Sequence, residues 1–184
     1  MDTAIIQILK PNVTRDDAVR KFSARGASRL FWTLRSGSLQ RIADVYVPFR
    51  LYRTRYAMNR TVEDRLFALD AVNGSLDLFT FPHLPAQNEL QSVETRNFLA
   101  PALPEPAAAA LVREKILRVV FLQGFFKLRG AQIDIQREPL DFHMPYWLGF
   151  YGGRGSVRFR VMDAVRRRME GAKAAAFFEQ WLAA

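Results

Sequence analysis

The 184-residue chain contains no cysteine, only two histidines, and no apolar stretch of the roughly 18 residues that a membrane-spanning helix needs. Lack of cysteine excludes disulfides, thiol nucleophiles and cysteine-ligated metals. The histidines, His83 and His143, have no H-x-x-x-H spacing and no acid cluster beside them, so no metal site is expected. No serine sits in a nucleophile elbow, and there is no Gly-rich phosphate loop or aromatic RNA-binding motif. The opening residues MDTAIIQILKPN carry neither the basic region nor the small-residue cleavage site of a secretory signal. A soluble cytoplasmic protein without a cofactor is the expectation.

What is present is ample material for a core. Hydrophobic residues make up 49% of the chain and aromatics 12%, with 15 Phe and 3 Trp, which argues against disorder. The length suits one large domain or two small ones. The net charge of +9 is uneven. Residues 1–60 hold twelve Lys/Arg against four Asp/Glu, residues 61–112 two against seven, and residues 113–184 thirteen against seven. Two basic ends around an acidic middle fit either a polyanion-binding surface or two halves docked through complementary charge.

The chain also repeats itself. YVPFRLYRTRYAMNRTVEDRLFALDAV, starting at Tyr46, is echoed by HMPYWLGFYGGRGSVRFRVMDAV, starting at His143. Pro48 falls on Pro145, Phe49 on Tyr146, Leu51 on Leu148, and Asp70-Ala71-Val72 on Asp163-Ala164-Val165. Each copy alternates like a hairpin. Val45, Val47, Phe49 and Leu51 share one face in the first, and Phe142, Met144, Tyr146, Leu148 and Phe150 in the second. Gly152-Gly153-Arg154-Gly155 reverses the second copy, with Val157, Phe159 and Val161 pointing inward on its return arm. A proline in a strand lacks a ladder donor, so the matched Pro48 and Pro145 predict a shared edge or bend.

Around these copies, Ala4–Leu9 reads as an edge strand or a piece packing under the second half. Thr14 with Asp17 caps a helix that should end near Gly26. Leu30–Leu34 is apolar, Leu39–Tyr56 reads as a long bent strand, and Ser75–Phe81 as a third strand after the Asn73-Gly74 turn. Residues 82–106 carry five of the nine prolines and mark the boundary between halves. Glu105-Pro106 opens a helix striped with Leu111, Val112, Ile116, Val119, Val120 and Gln123. Ala131–Arg137 is strand-like, and Pro139 separates it from the second hairpin. Arg166-Arg167-Arg168 leads into a terminal helix whose apolar face holds Ala174, Phe177, Phe178, Trp181 and Leu182.

A hairpin ending in Asp70-Ala71-Val72-Asn73-Gly74 resembles the PepSY-type module, a small cystatin-like αβ unit. In the second copy Arg166 and Arg167 stand in place of the Asn-Gly turn. The resemblance implies non-catalytic binding or modulation of a partner. The fold expected is α+β: two tandem pseudo-symmetric repeats, 1–100 and 101–184, each a helix with a curved antiparallel sheet, packed as one unit.

For function, the expectation is a non-catalytic binding or scaffold module acting on a protein or small-ligand partner. Its candidate residues lie on the other strand faces: Tyr46, Arg50 and Tyr52 (with Tyr56) in the first copy, and His143, Trp147 and Tyr151 in the second. Amphipathic aromatics beside arginine suit a binding surface, unless helices or the other half cover them. The alternatives are a nucleic-acid-binding protein using the basic ends, with Arg166–Arg168 as phosphate ligands, and an enzyme in which His143 pairs with Asp141 or Asp163 as a general base. Asp70 and Asp163 read as caps of the turns that end the hairpins rather than as paired ligands. His83, between prolines, reads as a solvated loop residue.

Overall fold

A computed structural model of the chain describes residues 3–23, 37–58, 61–122, 133–153 and 156–183. It is α+β. Strands β1 (Ala4–Leu9), β2 (Leu39–Met58), β3 (Thr61–Asp70), β4 (Phe79–Phe81), β5 (Leu90–Thr95), β6 (Ile133–Gly153), β7 (Ser156–Asp163) and β8 (Arg168–Met169) form one sheet. The helices are α1 (Arg15–Phe22), α2 (Glu105–Leu122) and α3 (Ala172–Ala183). The sheet runs β4-β3-β2-β6-β1-β5, with β7 added to β6 and β8 to β7, and curls into a half-barrel.

The spine is the antiparallel pair of β2 and β6, paired from Leu39↔Tyr151 through Val47↔Met144 to Tyr56↔Ile133, with register shifts between Leu39 and Arg41 and between Arg50 and Tyr52. β3 folds back on β2 from Met58↔Thr61 to Phe49↔Asp70, and β7 on β6 from Gly153↔Ser156 to Tyr146↔Asp163. Each proline sits where its hairpin partner leaves. Ala71 N donates to Pro48 O at 2.8 Å, and Ala164 N to Pro145 O at 3.1 Å. Beyond that point a new strand takes over in parallel, Ile8 beside His143 and Phe98 beside Tyr46. A missing N–H is tolerated there because the strand has a local edge.

Both faces of the sheet are covered. One packs Val45, Val47, Phe49, Leu51, Phe142, Met144, Tyr146 and Leu148 with Ala174, Phe177 and Phe178 of α3. The opposite face is covered by two helices, α2 lying on the β2–β3 hairpin and α1 on the β6–β7 hairpin. Ala108, Val112 and Ile116 of α2 pack with Tyr52, Phe67 and Leu69 of β2 and β3. Ala18 and Phe22 of α1 pack with Tyr151, Met162 and Ala164. The capping box of Thr14 and Asp17 starts α1 as expected, and Phe22 is its last helical residue.

Three local expectations change. Pro139 does not break a strand: β6 runs through it, and a register shift places it in an irregularity opposite Leu51, between Arg50↔Asp141 and Tyr52↔Arg137. A bulge accommodates proline by taking it out of the ladder. The third strand shrinks to Phe79–Phe81, because Asp70 holds the preceding backbone in a turn. Leu182 is exposed at the end of α3 instead of joining its buried stripe. The readings at Gly26, Leu30–Leu34, Gln123, Arg154 and Gly155 lie outside the described residues, as do the side chains of Tyr56, Val119, Val120 and Val157.

Candidate functional site

The twin aspartates are turn caps. Asp70, fully buried, accepts from the backbone N–H groups of Asn73 (3.1 Å), Gly74 (2.8 Å) and Leu76 (2.9 Å). Asp163, also fully buried, accepts from Val165 N at 2.8 Å and Arg166 N at 2.7 Å. Where the first copy has a glycine turn, the second supplies a cation. Arg166 Nε donates to Asp163 at 2.6 Å, its Nη2 reaches Glu170 at 3.2 Å, and its guanidinium lies 4.5 Å from the Phe79 ring centre. Arg168 pairs with the same Glu170 at 2.9 Å. These two members of the arginine triplet therefore hold the turn together, and Arg167 takes a left-handed φ of 59°.

The aromatic faces chosen from the sequence lie beneath other elements. Tyr46 is 7% exposed, packed with Ile6 and Ile8, and its hydroxyl donates to Asp44 at 2.8 Å. Tyr52 is 1% exposed under α2; burial, with Glu105 beside it, pushes its pKa up to about 12. Glu105, at the start of α2, also meets Arg50 and Arg137, each at 3.4 Å. Tyr151 is 6% exposed, and its hydroxyl donates to Phe22 O at 2.8 Å; burial raises its pKa. Trp147 is half-buried and donates to Val13 O at 3.1 Å. Period-two alternation separates two faces without saying which is open, and here both are closed.

His143 is half-buried, its Nδ1 3.3 Å from Gln7 O and its ring edge-on to Phe98. Burial lowers its pKa. Neither expected carboxylate pairs with it: Asp163 is engaged as above, and Asp141 takes Arg137 at 2.9 Å. His83 is exposed, 3.6 Å from Glu89. Among the described residues no group of three His, Asp or Glu is placed to hold a metal, and no helix is long and apolar enough to cross a membrane.

Openings lie at the two ends of α3. At its C-terminal end a trough of about 420 Å³ is walled by Trp181, Phe98, Leu99 and Val72, with Arg96 on its rim. Arg96 is exposed and, among the described residues, has no carboxylate partner. At the N-terminal end a cavity of about 140 Å³ is lined by Tyr146, Arg166, Lys173 and the first residues of the helix. A larger open depression of about 650 Å³, by β3 and β4, is bordered by Arg53, Asp64 and Arg65. Its charges already pair, Arg53 with Glu138 at 2.6 Å, Asp64 with Arg55 at 2.9 Å, and Arg65 with Glu63 at 2.8 Å. Sequence reasoning missed Arg96 because a lone arginine after a strand has no motif to mark it.

Compared with protein-family models, with curated proteins and with solved structures, the chain matches none. None of these comparisons supports the PepSY-type resemblance read from Asp70-Ala71-Val72-Asn73-Gly74.

Proposed function

We propose that the protein is a non-catalytic binding module, and that the trough beside Trp181 takes an apolar group bearing one carboxylate. The observation that carries this reading is an exposed arginine, without a carboxylate partner among the described residues, on the rim of an apolar trough. The walls remove an apolar body from water, while Arg96 fixes a carboxylate in orientation. Both the C-terminus of a partner protein and a free fatty acid have this chemistry. A cytoplasmic setting belongs to the same reading.

The test is a fluorescence titration, following tryptophan emission, with three probes: octanoate, a short peptide ending in leucine, and the same peptide as its C-terminal amide. The carboxylate forms should bind and the amide should not, and Arg96→Gln should weaken binding about tenfold. Stronger binding of the peptide than of octanoate identifies a protein partner, and the reverse a small ligand. Equal binding of acid and amide, or no binding of either acid, refutes the reading.

We further infer that the chain is two copies of one unit. Support comes from matched contacts: Trp147 Nε1 to Val13 O and Arg50 Nη1 to Leu103 O, Ala18 N to Thr14 O and Ala108 N to Pro104 O, Asn12 N to Ala164 O and Ala102 N to Ala71 O. The parallel bridge at Phe98, matching that at Ile8, starts the second copy before residue 100.

Nucleic-acid binding is the second reading, favoured by one contact. Lys21 Nζ donates to Arg167 O, which brings the basic end segments together, with Arg15 on the same helix. Filter binding of single- and double-stranded nucleic acid at low and moderate salt decides it: affinity that falls steeply with salt supports this reading, and no retention at low salt removes it.

A further inference from the structure

We propose that the cavity at the start of α3 is a binding site for a small anion, a carboxylate or a tetrahedral oxyanion, separate from the trough at the helix's other end. Two independent features converge there. The first is an uncapped helix. Gly171 O accepts from Ala175 N at 3.1 Å, making Gly171 the capping residue, and it has no side chain with which to satisfy the amides of Ala172, Lys173 and Ala174. No side chain among the described residues caps them. A twelve-residue helix concentrates partial positive charge at these groups.

The second feature is Tyr146. It comes from the middle of β6, is only 3% exposed, and stacks edge-on against Phe178 at 5.4 Å. Its hydroxyl has no hydrogen-bond partner among the described residues, although it lines the cavity beside Arg166 and Glu170. An anion in the cavity would give this free donor an acceptor.

The rim charges compensate one another. Lys173 meets Asp77 at 2.6 Å, and Arg166 is held by Asp163 and Glu170. What remains unfilled is therefore a set of donors, the helix amides and the tyrosine O–H. Those groups recognise oxygen atoms carrying negative charge.

A Cβ on Gly171 meets no atom within 4 Å, so an aspartate there has room to turn its own carboxylate onto the amides. That supplies the decisive variant. Calorimetric titration of the full chain with inorganic phosphate, sulfate and acetate should give a saturable isotherm for at least one of them. Preference for phosphate or sulfate identifies an oxyanion site, and preference for acetate a carboxylate site. Tyr146→Phe, which removes only the hydroxyl, should bind the preferred anion about tenfold more weakly. Gly171→Asp should lose binding while melting at or above the wild-type temperature, since a capping side chain replaces the ligand. A cavity with a merely structural role would leave anion affinity unchanged in both variants. No saturable binding of any of the three anions, or wild-type affinity in both variants, overturns the proposal.

Discussion

The indole Nε1 of Trp147 donates to the carbonyl of Val13 at 3.1 Å, tying the middle of β6 to the residue just before the cap of α1. Arg50 does the same for α2, donating to Leu103 O at 2.7 Å just before the helix begins. Each bond sets where a helix starts relative to the hairpin beneath it. Trp147→Phe keeps a ring but removes the donor, leaving a carbonyl unpaired, and should cost about 1–3 kcal/mol. Arg50→Met should cost a similar amount or more, because it also removes a cation from Glu105. Urea unfolding measures both; a change within error for either variant would show that its helix is held by packing alone.

Gly149 exists to admit Phe22. A Cβ at Gly149 would lie 2.7 Å from the Phe22 ring, closer than side chains pack. Gly149→Ala should therefore destabilise by about 1–3 kcal/mol through overpacking. Phe22→Val alone should cost about 2–4 kcal/mol through the void it leaves. Together the two should cost clearly less than their sum, since the small residue opens space for the new methyl. Additive costs would refute this explanation of the glycine.

How much of this could be read beforehand follows from what each signal encodes. The alternation of Val45, Val47, Phe49 and Leu51, and of Phe142, Met144 and Leu148, identified core faces because a pleated strand has a period of two. The Asx geometry of Asp70 and Asp163 was legible because each aspartate directly precedes a reversal. Pro139 misled because a bulge is a tertiary accommodation with no local signature. Tyr46, Tyr52 and Tyr151 looked outward because a phenol suits a wet surface as well as a buried donor. Whether such a face is open depends on distant helices, α2 for Tyr52 and α1 for Tyr151. The cavity at α3 was invisible in the sequence: its donors are backbone amides, and Tyr146 read as one more inward core residue.

His143 gives the fold a pH dependence. Burial disfavours its charged form, a shift only partly opposed by the Gln7 carbonyl and Asp141, so its pKa lies below the ordinary 6.5. As the pH falls past that ordinary value, the unfolded chain takes up the proton first and the folded state loses stability. The loss runs from about pH 6.5 down to the folded-state pKa. The carboxyls of Asp17, Asp64 and Asp77, held low by their partners, act further down the scale and in the same direction. Urea midpoints at about pH 7.5 and about pH 5.5 should differ in the wild type and much less in His143→Gln. An equal difference in both would mean that another group carries the effect.

The two halves should not fold alone, because each lends its helix to the other. α2 belongs to the second half by sequence, yet it covers Tyr52, Phe67 and Leu69 of the first hairpin. α1 belongs to the first half, yet Phe22 and Ala18 cover Tyr151, Met162 and Ala164 of the second. The β2–β6 ladder crosses between halves over nearly the full length of both strands. A fragment of residues 1–100 would bare one apolar face of β2 and β3 and leave one edge of β2 unpaired. A fragment of residues 101–184 would do the same to β6 and β7, and a sheet bared in this way cannot offset its chain entropy. Expressed separately, each fragment should lack a cooperative thermal transition. Mixed in equal amounts, they should recover one, because the missing cover of each is carried by the other. Cooperative melting of either fragment alone would show that its hairpin and own helix suffice, and that the exchanged helices are an embellishment rather than the basis of the fold.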